Sequence, residues 1–408
     1  MQFQNPSLPT DLKQFAVTLN GEDVTTFVAA AFIYQEVFLA GWSCKLTMHD
    51  HNNLLQNLPI KPGTKITIMI ESKMNSVMDG QKTFNFMVSH VSNTNYQNHM
   101  NVTYDINGID KSLYLNTGLR VSKSFIKKKP DKIVSSIVED FLGGTVVEKD
   151  QCDYDITAII PNLSPLAACN LISNSATMND TADFLLFMSD EGKYVFKSFE
   201  QMYKGRDSGF QFKMAVASVR GSDGNLEEDY NTMFTNYHFV DHTNGLMAAA
   251  SGQAANKLVE FDFIKKKWIE KEYKYSEEVS ADKEKRQWDT EIENPNANII
   301  FKPKHDGMHE TPTINEYNQK WSSSRKSNML KLEQDKLIIQ IPGGVKSWTG
   351  IGKTCDIELP SQQDSKKGEK LDKFFKGKYF IVAIAHVIMG HAYFVNFECI
   401  KKRTESKM

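Results

Sequence analysis

Lys82-Thr-Phe84-Asn-Phe-Met-Val-Ser-His90-Val91 and Lys378-Tyr-Phe380-Ile-Val-Ala-Ile-Ala-His386-Val387 carry lysine, phenylalanine, histidine and valine at the same offsets, near opposite ends of the chain. Upstream of each stands a glycine, then a lysine, then an alternating run: Gly63-Thr-Lys65-Ile-Thr-Ile68 and Gly352-Lys353-Thr-Cys-Asp-Ile357-Glu-Leu359. Downstream of each comes a polar turn and a further alternating run. Together they read as one β-module used twice. Two similar surfaces in one subunit double the apparent symmetry of an assembly, which suits a ring.

The chain has 408 residues, enough for two to four domains with substantial cores. Hydrophobic residues make up 40% and charged residues 24%, the balance of an ordinary globular protein. A formal net charge of −2 disfavours polyanion binding by bulk charge. No long apolar run predicts a membrane span, so no membrane insertion is expected. Met1 to Thr10 is polar, with Pro6 and Pro9, and lacks the basic-then-apolar layout of a secretory signal. Five scattered cysteines without a CxxC pair predict free thiols in a reducing compartment.

Residues 1–126 read as short β-strands separated by turn clusters such as Asn20-Gly21, Lys61-Pro62-Gly63 and Met78-Asp79-Gly80, with a short helical insert around Asn52–Asn57. Even strand spacing predicts a small barrel or sandwich. Residues 127–206 change character. Pro130 suits a first helical turn, Ile133, Val134, Ile137, Val138 and Phe141 follow at helical spacing, and Gly143-Gly144 stops the run. Ser164 is placed to cap a second helix. Phe184–Phe187 and Tyr194–Phe196 flank Ser189-Asp-Glu-Gly192 as a hairpin.

Residues 207–320 read as a connecting α+β region. It holds a strand near Phe210–Val216, a helix near Glu228–Phe239, and two strands, Lys257–Phe263 and Lys267–Tyr275. A polar excursion over Ser276–Thr313 follows. Residues 321–408 open with a helix over Trp321–Asp335, its inner stripe formed by Trp321, Ser324, Ser327 and Leu330. They return to β for a second barrel with a closing hairpin and a basic tail. The fold class is therefore mainly β with an α+β middle: two barrel domains plus an α+β domain.

No catalytic residue or cofactor is expected. Gly350-Ile-Gly352-Lys353-Thr354 resembles the end of a phosphate-binding loop. Ser347 stands where the pattern needs glycine, however, and a strand follows where it needs a helix, so a β-turn is the reading. His238/His242 and His305/His309 have helical metal-ligand spacing, but neither pair carries the HExxH base or nearby cysteines. No structural metal is expected, and His305, His309 and Glu310 are the candidates were one bound. His49 and His51 flank Asp50, which is read as the cap of the helical insert. His90 and His386 are repeat-equivalent and are read as strand residues. The clusters Lys127–Lys129 and Lys265–Lys267 read as solvated faces or as contacts to an acidic partner.

In order along the chain, four stretches resemble the baseplate hub proteins of contractile-tailed bacteriophages, a group similar to the late control protein D family and the N-terminal hub part of VgrG spike proteins. Phe32-Ile-Tyr-Gln-Glu36 through Met48, with Pro59–Ile70, looks like the first hub barrel. Leu119-Arg120-Val-Ser-Lys-Ser-Phe125, leading into Asp131–Phe141, looks like its exit. Ser164–Phe199 looks like the hub's helix and hairpin unit, and Trp321–Ile400 like the second, tube-protein-like barrel. The resemblance implies a homotrimer whose six barrels form a pseudo-six-fold ring between tail tube protein and central spike protein. The spike would be a separate polypeptide able to carry a cell-wall hydrolase. Baseplate wedge proteins would be neighbours, DNA would pass only in transit, and assembly would occur in the bacterial host cytoplasm. The same pattern fits the hub of a type VI secretion system or another contractile injection system. A metal-dependent hydrolase on His305, His309 and Glu310 is the alternative of another class.

Overall fold

The computed structural model describes residues 12–72, 81–98, 101–214, 232–240, 245–278, 292–304, 314–333, 336–344, 348–360, 372 and 375–401. The first segment supplies β1 (Leu12–Leu19), β2 (Glu22–Asp23), β3 (Val28–Glu36), β4 (Ser43–Asp50), β5 (Lys65–Ser72), β6 (Gln81–Asn98) and β7 (Asn101–Ile109). Alternation decides their faces. In β5, Ile66, Ile68 and Ile70 are buried while Thr67 and Met69 are half-buried. Asn20 and Gly21 both adopt positive φ, 50° and 94°, the twist that a tight two-residue hairpin between β1 and β2 requires.

The middle holds β8 (Val121–Lys128), β9 (Val146–Lys149), β10 (Ile156–Leu163), β11 (Phe184–Met188) and β12 (Tyr194–Ser198). Strands β11, β12 and β9 form a three-stranded sheet, and β8 pairs with β10. The helix Pro130–Ile137 continues as a π-turn through Leu142 and ends on Gly143 at φ 64°. Ser164 stands at the cap position of helix Pro165–Ser173 but makes no capping bond. The Leu166 N–H is met instead by Asn116 Oδ1 at 2.8 Å.

Next come β13 (Asp207–Met214), β14 (Met233–Phe234), β15 (Asn236–Phe239), β16 (Ala255–Asp262), β17 (Lys267–Lys274) and β18 (Ile299–Lys304). The helix expected over Glu228–Phe239 is corrected. From residue 232 on, this stretch is strand, with β14 against β13 and β15 against the later strand Lys336–Pro342. Tyr237 and Phe239 alternate with exposed Asn236 and His238, a period of two that fits a sheet. The polar excursion is also corrected in part, because β18 pairs in parallel with β16 over its whole length.

The last segment begins with the helix Ile314–Leu332. It continues through β19 (Lys336–Pro342), β20 (Thr354–Glu358), β21 (Gly377–Met389) and β22 (Ala392–Ile400). The helix buries Trp321, Ser323, Arg325, Ser327 and Lys331, a more polar face than the expected stripe, and leaves Ser324 and Leu330 half-buried. Arg325 Nη1 and Nη2 each donate to the Phe184 carbonyl at 3.1 Å, and its Nε donates to Asn174 Oδ1 at 3.0 Å.

Strands of the first, third and last segments form one 14-stranded sheet. Its seam is β21. The start of β21 pairs with β20, its end pairs with β3 from Ala383↔Glu36 to Met389↔Ala30, and its other edge pairs with β22. A register shift between Ile381 and Ala383 falls where β21 changes neighbours. The sheet curls back on itself: Leu12 N–H donates to the His391 carbonyl at 2.9 Å, and Ser72 Oγ to the Gly343 carbonyl at 2.8 Å. One apolar cluster runs through this sheet and the middle segment. The structure is mostly β.

Candidate functional site

The two copies of the repeated pattern lie on β6 and β21 and meet in space. Phe84 is buried between Trp42 and His386, with ring centroids 5.6 Å away on each side. Lys82 reaches over the rings of Trp42 and Phe84 and donates from Nζ to the Asp190 carbonyl at 2.9 Å. In the second copy, Phe380 meets Phe199 edge-on at 5.0 Å, and Lys378 lies over Tyr203 at 5.5 Å. The first lysine-phenylalanine pair thus clasps one aromatic side chain, Trp42, and the second meets two, Phe199 and Tyr203; in both the lysine's charge favours a ring face.

The histidines part company. His386 is fully buried and its Nδ1 lies 2.8 Å from Tyr393 Oη. That hydroxyl also accepts from Trp348 Nε1 at 2.9 Å. Burial, with Lys82 adding to it, lowers the His386 pKa to about 3. His90 is exposed, with Nδ1 2.9 Å from Ser89 Oγ. The cause is local: β6 shifts register between Val88 and His90, so half-buried Val91, not His90, turns toward the core. Val387 is half-buried on β21.

Beside this joint, the Asp190 carboxylate accepts the Gly350 N–H at 3.1 Å and the Ile351 N–H at 3.4 Å. Lys353 Nζ lies 3.8 Å from Asp190 Oδ2. Burial pushes the Asp190 carboxyl up, opposed by Lys353 and these two amides. Arg206 binds Glu148 at 2.7 Å and leans over the Phe187 ring. The loop that resembled a phosphate cradle therefore already holds a carboxylate of the same chain. As expected it turns into a strand, β20. Sequence reasoning missed Asp190, Arg206, Trp348 and Tyr393. Only the turn around Asp190 had a local signal, and nothing in it points to residues 350 and 351.

Among the described residues no group of three or more histidine, cysteine or acidic side chains could hold a metal. His305, His309 and Glu310 lie outside the described residues, as does His242. His238 is exposed on a strand, not on a helix face. Asp50 accepts from Asn52 N–H at 2.9 Å and Leu55 N–H at 3.3 Å, the expected cap. The five cysteines are buried and free. Among the described residues no helix is long and apolar enough to cross a membrane. The arrangement ties distant segments together: Tyr393 Oη bonds His386 Nδ1 and Trp348 Nε1, and Asp190 holds the Gly350 and Ile351 amides.

No protein-family model matches the sequence, and no curated protein matches it. Solved structures do. The 43 kDa tail protein of prophage MuSo2 from Shewanella oneidensis superposes with a TM-score of 0.57 at 10% identity, covering 95% of this chain and 98% of that one. The tail protein from Neisseria meningitidis MC58 gives 0.53 at 11%, covering 95% and 96%. A type VI secretion system component of E. coli gives 0.46 at 9%, covering 96% and 77%. Across 95% of its length the chain has the fold of the two tail proteins.

Proposed function

We propose that this chain is a structural hub of a phage tail baseplate, without enzymatic activity. In this reading it forms a homotrimeric, pseudo-six-fold ring that joins the tail tube to a separate central spike and passes DNA during injection. The observation that carries the reading is the tail-protein fold, which covers 95% of this chain and 96–98% of the two tail proteins. The duplicated pattern supports it. β6 and β21 each bring a lysine-phenylalanine clasp to one continuous sheet, so one subunit offers two related arms to a ring.

On this reading residues 1–126 and 321–408 are the two tube-like modules, 127–206 the α+β domain and 207–320 the connection between them. The partners are two further copies, the tube protein, the spike and neighbouring wedge proteins, in a virion tail assembled in the host cytoplasm. Permanent contacts of this kind bury on the order of 2,000 Å² or more each. Sedimentation of the purified chain, followed by negative-stain imaging, tests the reading. A particle near three times the 46.4 kDa chain mass, with a central hole, is expected. A compact monomer that joins neither tube nor spike overturns it.

A further inference from the structure

The outer face of the seam holds a small trough whose floor is set by two alanines. On β21, Ala383 stands abreast of Glu36 on β3 and of Glu398 on β22. In the next row Ala385 stands between Tyr34 and Asn396. Small side chains on the middle strand and long ones on both neighbours leave a cavity of about 190 Å³. Strand spacing puts the Glu36 and Glu398 backbones about 10 Å apart across Ala383, so an ammonium group over that alanine reaches both carboxylates. Lys336 approaches Glu398 from the side, at 3.2 Å, while Glu36 makes no ion pair among the described residues. Partial burial pushes the Glu36 carboxyl up, Lys336 opposing and Glu398 adding to the rise. The trough has an apolar floor, an aromatic wall and two carboxylates that share the single Lys336, an arrangement that complements a second lysine side chain.

The same chain carries a matching knob. The hairpin between β16 and β17 ends in Phe263-Ile-Lys-Lys-Lys267-Trp268, where Ile264 is 56% and Trp268 64% exposed. Phe301 on β18, 68% exposed, extends this apolar surface. Lys265, Lys266 and Lys267 are exposed and make no ion pair among the described residues. The turn is stiff: Asp262 Oδ1 accepts the N–H groups of Ile264 at 3.0 Å and Lys265 at 2.9 Å. A rigid loop loses little freedom on docking. The far end of β17 lines a cavity together with Ile400, two residues from Glu398. The eight residues of β17 set the tip about 23 Å from that end.

We propose that the Lys265–Lys267 tip of one copy docks in the Glu36–Ala383–Glu398 trough of the next, making a head-to-tail interface that closes the ring. The contact is heterologous: every subunit gives one tip and one trough, and a closed ring satisfies all of them. It rests on the hub reading, which requires several copies, and adds the surface by which they join.

Two measurements on the full-length chain test it. In the first, singly substituted Ala383→Cys and Lys266→Cys chains are mixed and treated with a short bis-maleimide, whose span replaces that of the lysine side chain. A crosslinked heterodimer is expected, because the native cysteines are buried. In the second, association is followed by sedimentation. Reversing the tip (K265E/K266E/K267E) or the trough (E36K) is expected to weaken association about tenfold or more, and combining E36K with K266E to restore part of it. If the wild type assembles and the reversed chains assemble equally well, the interface is wrong and the hub reading stands. If the tip variants lose only spike or tube binding while self-association is kept, the interface is wrong in the same way. If the wild type stays monomeric at high concentration and with its spike, the hub reading fails and takes the interface with it.

Discussion

The Phe84 ring centroid lies 5.6 Å from that of the His386 imidazole, so the lysine-phenylalanine end of the first pattern rests on the histidine end of the second. The sequence likeness that suggests two modules is also the place where the modules touch. This gives the joint a pH signature. His386 has an ordinary value of 6.5 and falls to about 3 in the fold. Between those values the unfolded chain takes up a proton there and the folded chain does not. The site's contribution to stability is therefore full above about pH 6.5 and is lost as pH falls toward 3, at up to about 1.4 kcal/mol per pH unit. Urea midpoints measured from pH 7 to pH 4 should fall more steeply in the wild type than in His386→Gln. Parallel curves would remove His386 from the account.

Tyr393 is the hinge of that network. Its hydroxyl serves both His386 Nδ1 and Trp348 Nε1. Tyr393→Phe leaves both buried groups without this partner, at an expected cost of about 2–4 kcal/mol. Trp348→Phe removes only one bond and should cost about half as much. Because the groups share one hydroxyl, the two substitutions together should cost less than the sum of the two alone. Chemical denaturation of the three variants reads this directly, and additive costs would mean that the hydroxyl is not shared.

Local chemistry was legible in the sequence wherever a few neighbouring residues determine the outcome. Pro130 opens its helix, Gly143 closes the π-turn that extends it, and Asp50 caps the short insert, all from side chains close in sequence. The hairpin around Ser189–Gly192 was legible for the same reason. The seam was not. Pairing β21 with β3 depends on a register shift at Ile381 and on strands from opposite ends of the chain, and periodicity says nothing about which strand becomes the neighbour. The stretch over residues 232–239 misled because its period-two aromatics are few and its partner β19 is distant. Of the joint, Lys82, Phe84, Lys378, Phe380 and His386 could be singled out as a pattern. Asp190 and Tyr393 could not, since their roles exist only across the folded sheet.

Arg325 is a second long-range tie. It is 8% exposed, and its fork holds the Phe184 carbonyl and Asn174 from the helix Ile314–Leu332. Burial, opposed by Asp183, lowers its pKa to about 10, so it stays charged at neutrality. Lysine keeps the charge but has no fork for both partners. Arg325→Lys should therefore lower the unfolding free energy by about 1–3 kcal/mol. Hydrogen exchange should also rise in β11, whose carbonyl loses its donor. Unchanged exchange there would mean that the helix is held elsewhere.

Gly352 and Gly192 separate strain from crowding. Both have positive φ, 68° and 74°. A Cβ on Gly192 meets nothing within 4 Å, so Gly192→Ala should cost only the backbone preference, about 1 kcal/mol. A Cβ on Gly352 lands 2.4 Å from Phe187 Cζ and 2.8 Å from its Cε2. Phe187 is fully buried in the core, and Arg206 lies over its ring while reaching back to the Gly352 carbonyl. The ring cannot retreat without disturbing that contact. Gly352→Ala should then add about 1–3 kcal/mol of overpacking to the same backbone cost. Calorimetric melting of the two variants gives the difference. Gly352→Ala in a Phe187→Leu background should recover part of it, because the smaller side chain vacates the space. If both glycine variants melt together, the turn at residues 350–353 is loose, and Asp190 does not hold it in the way its two amide bonds imply.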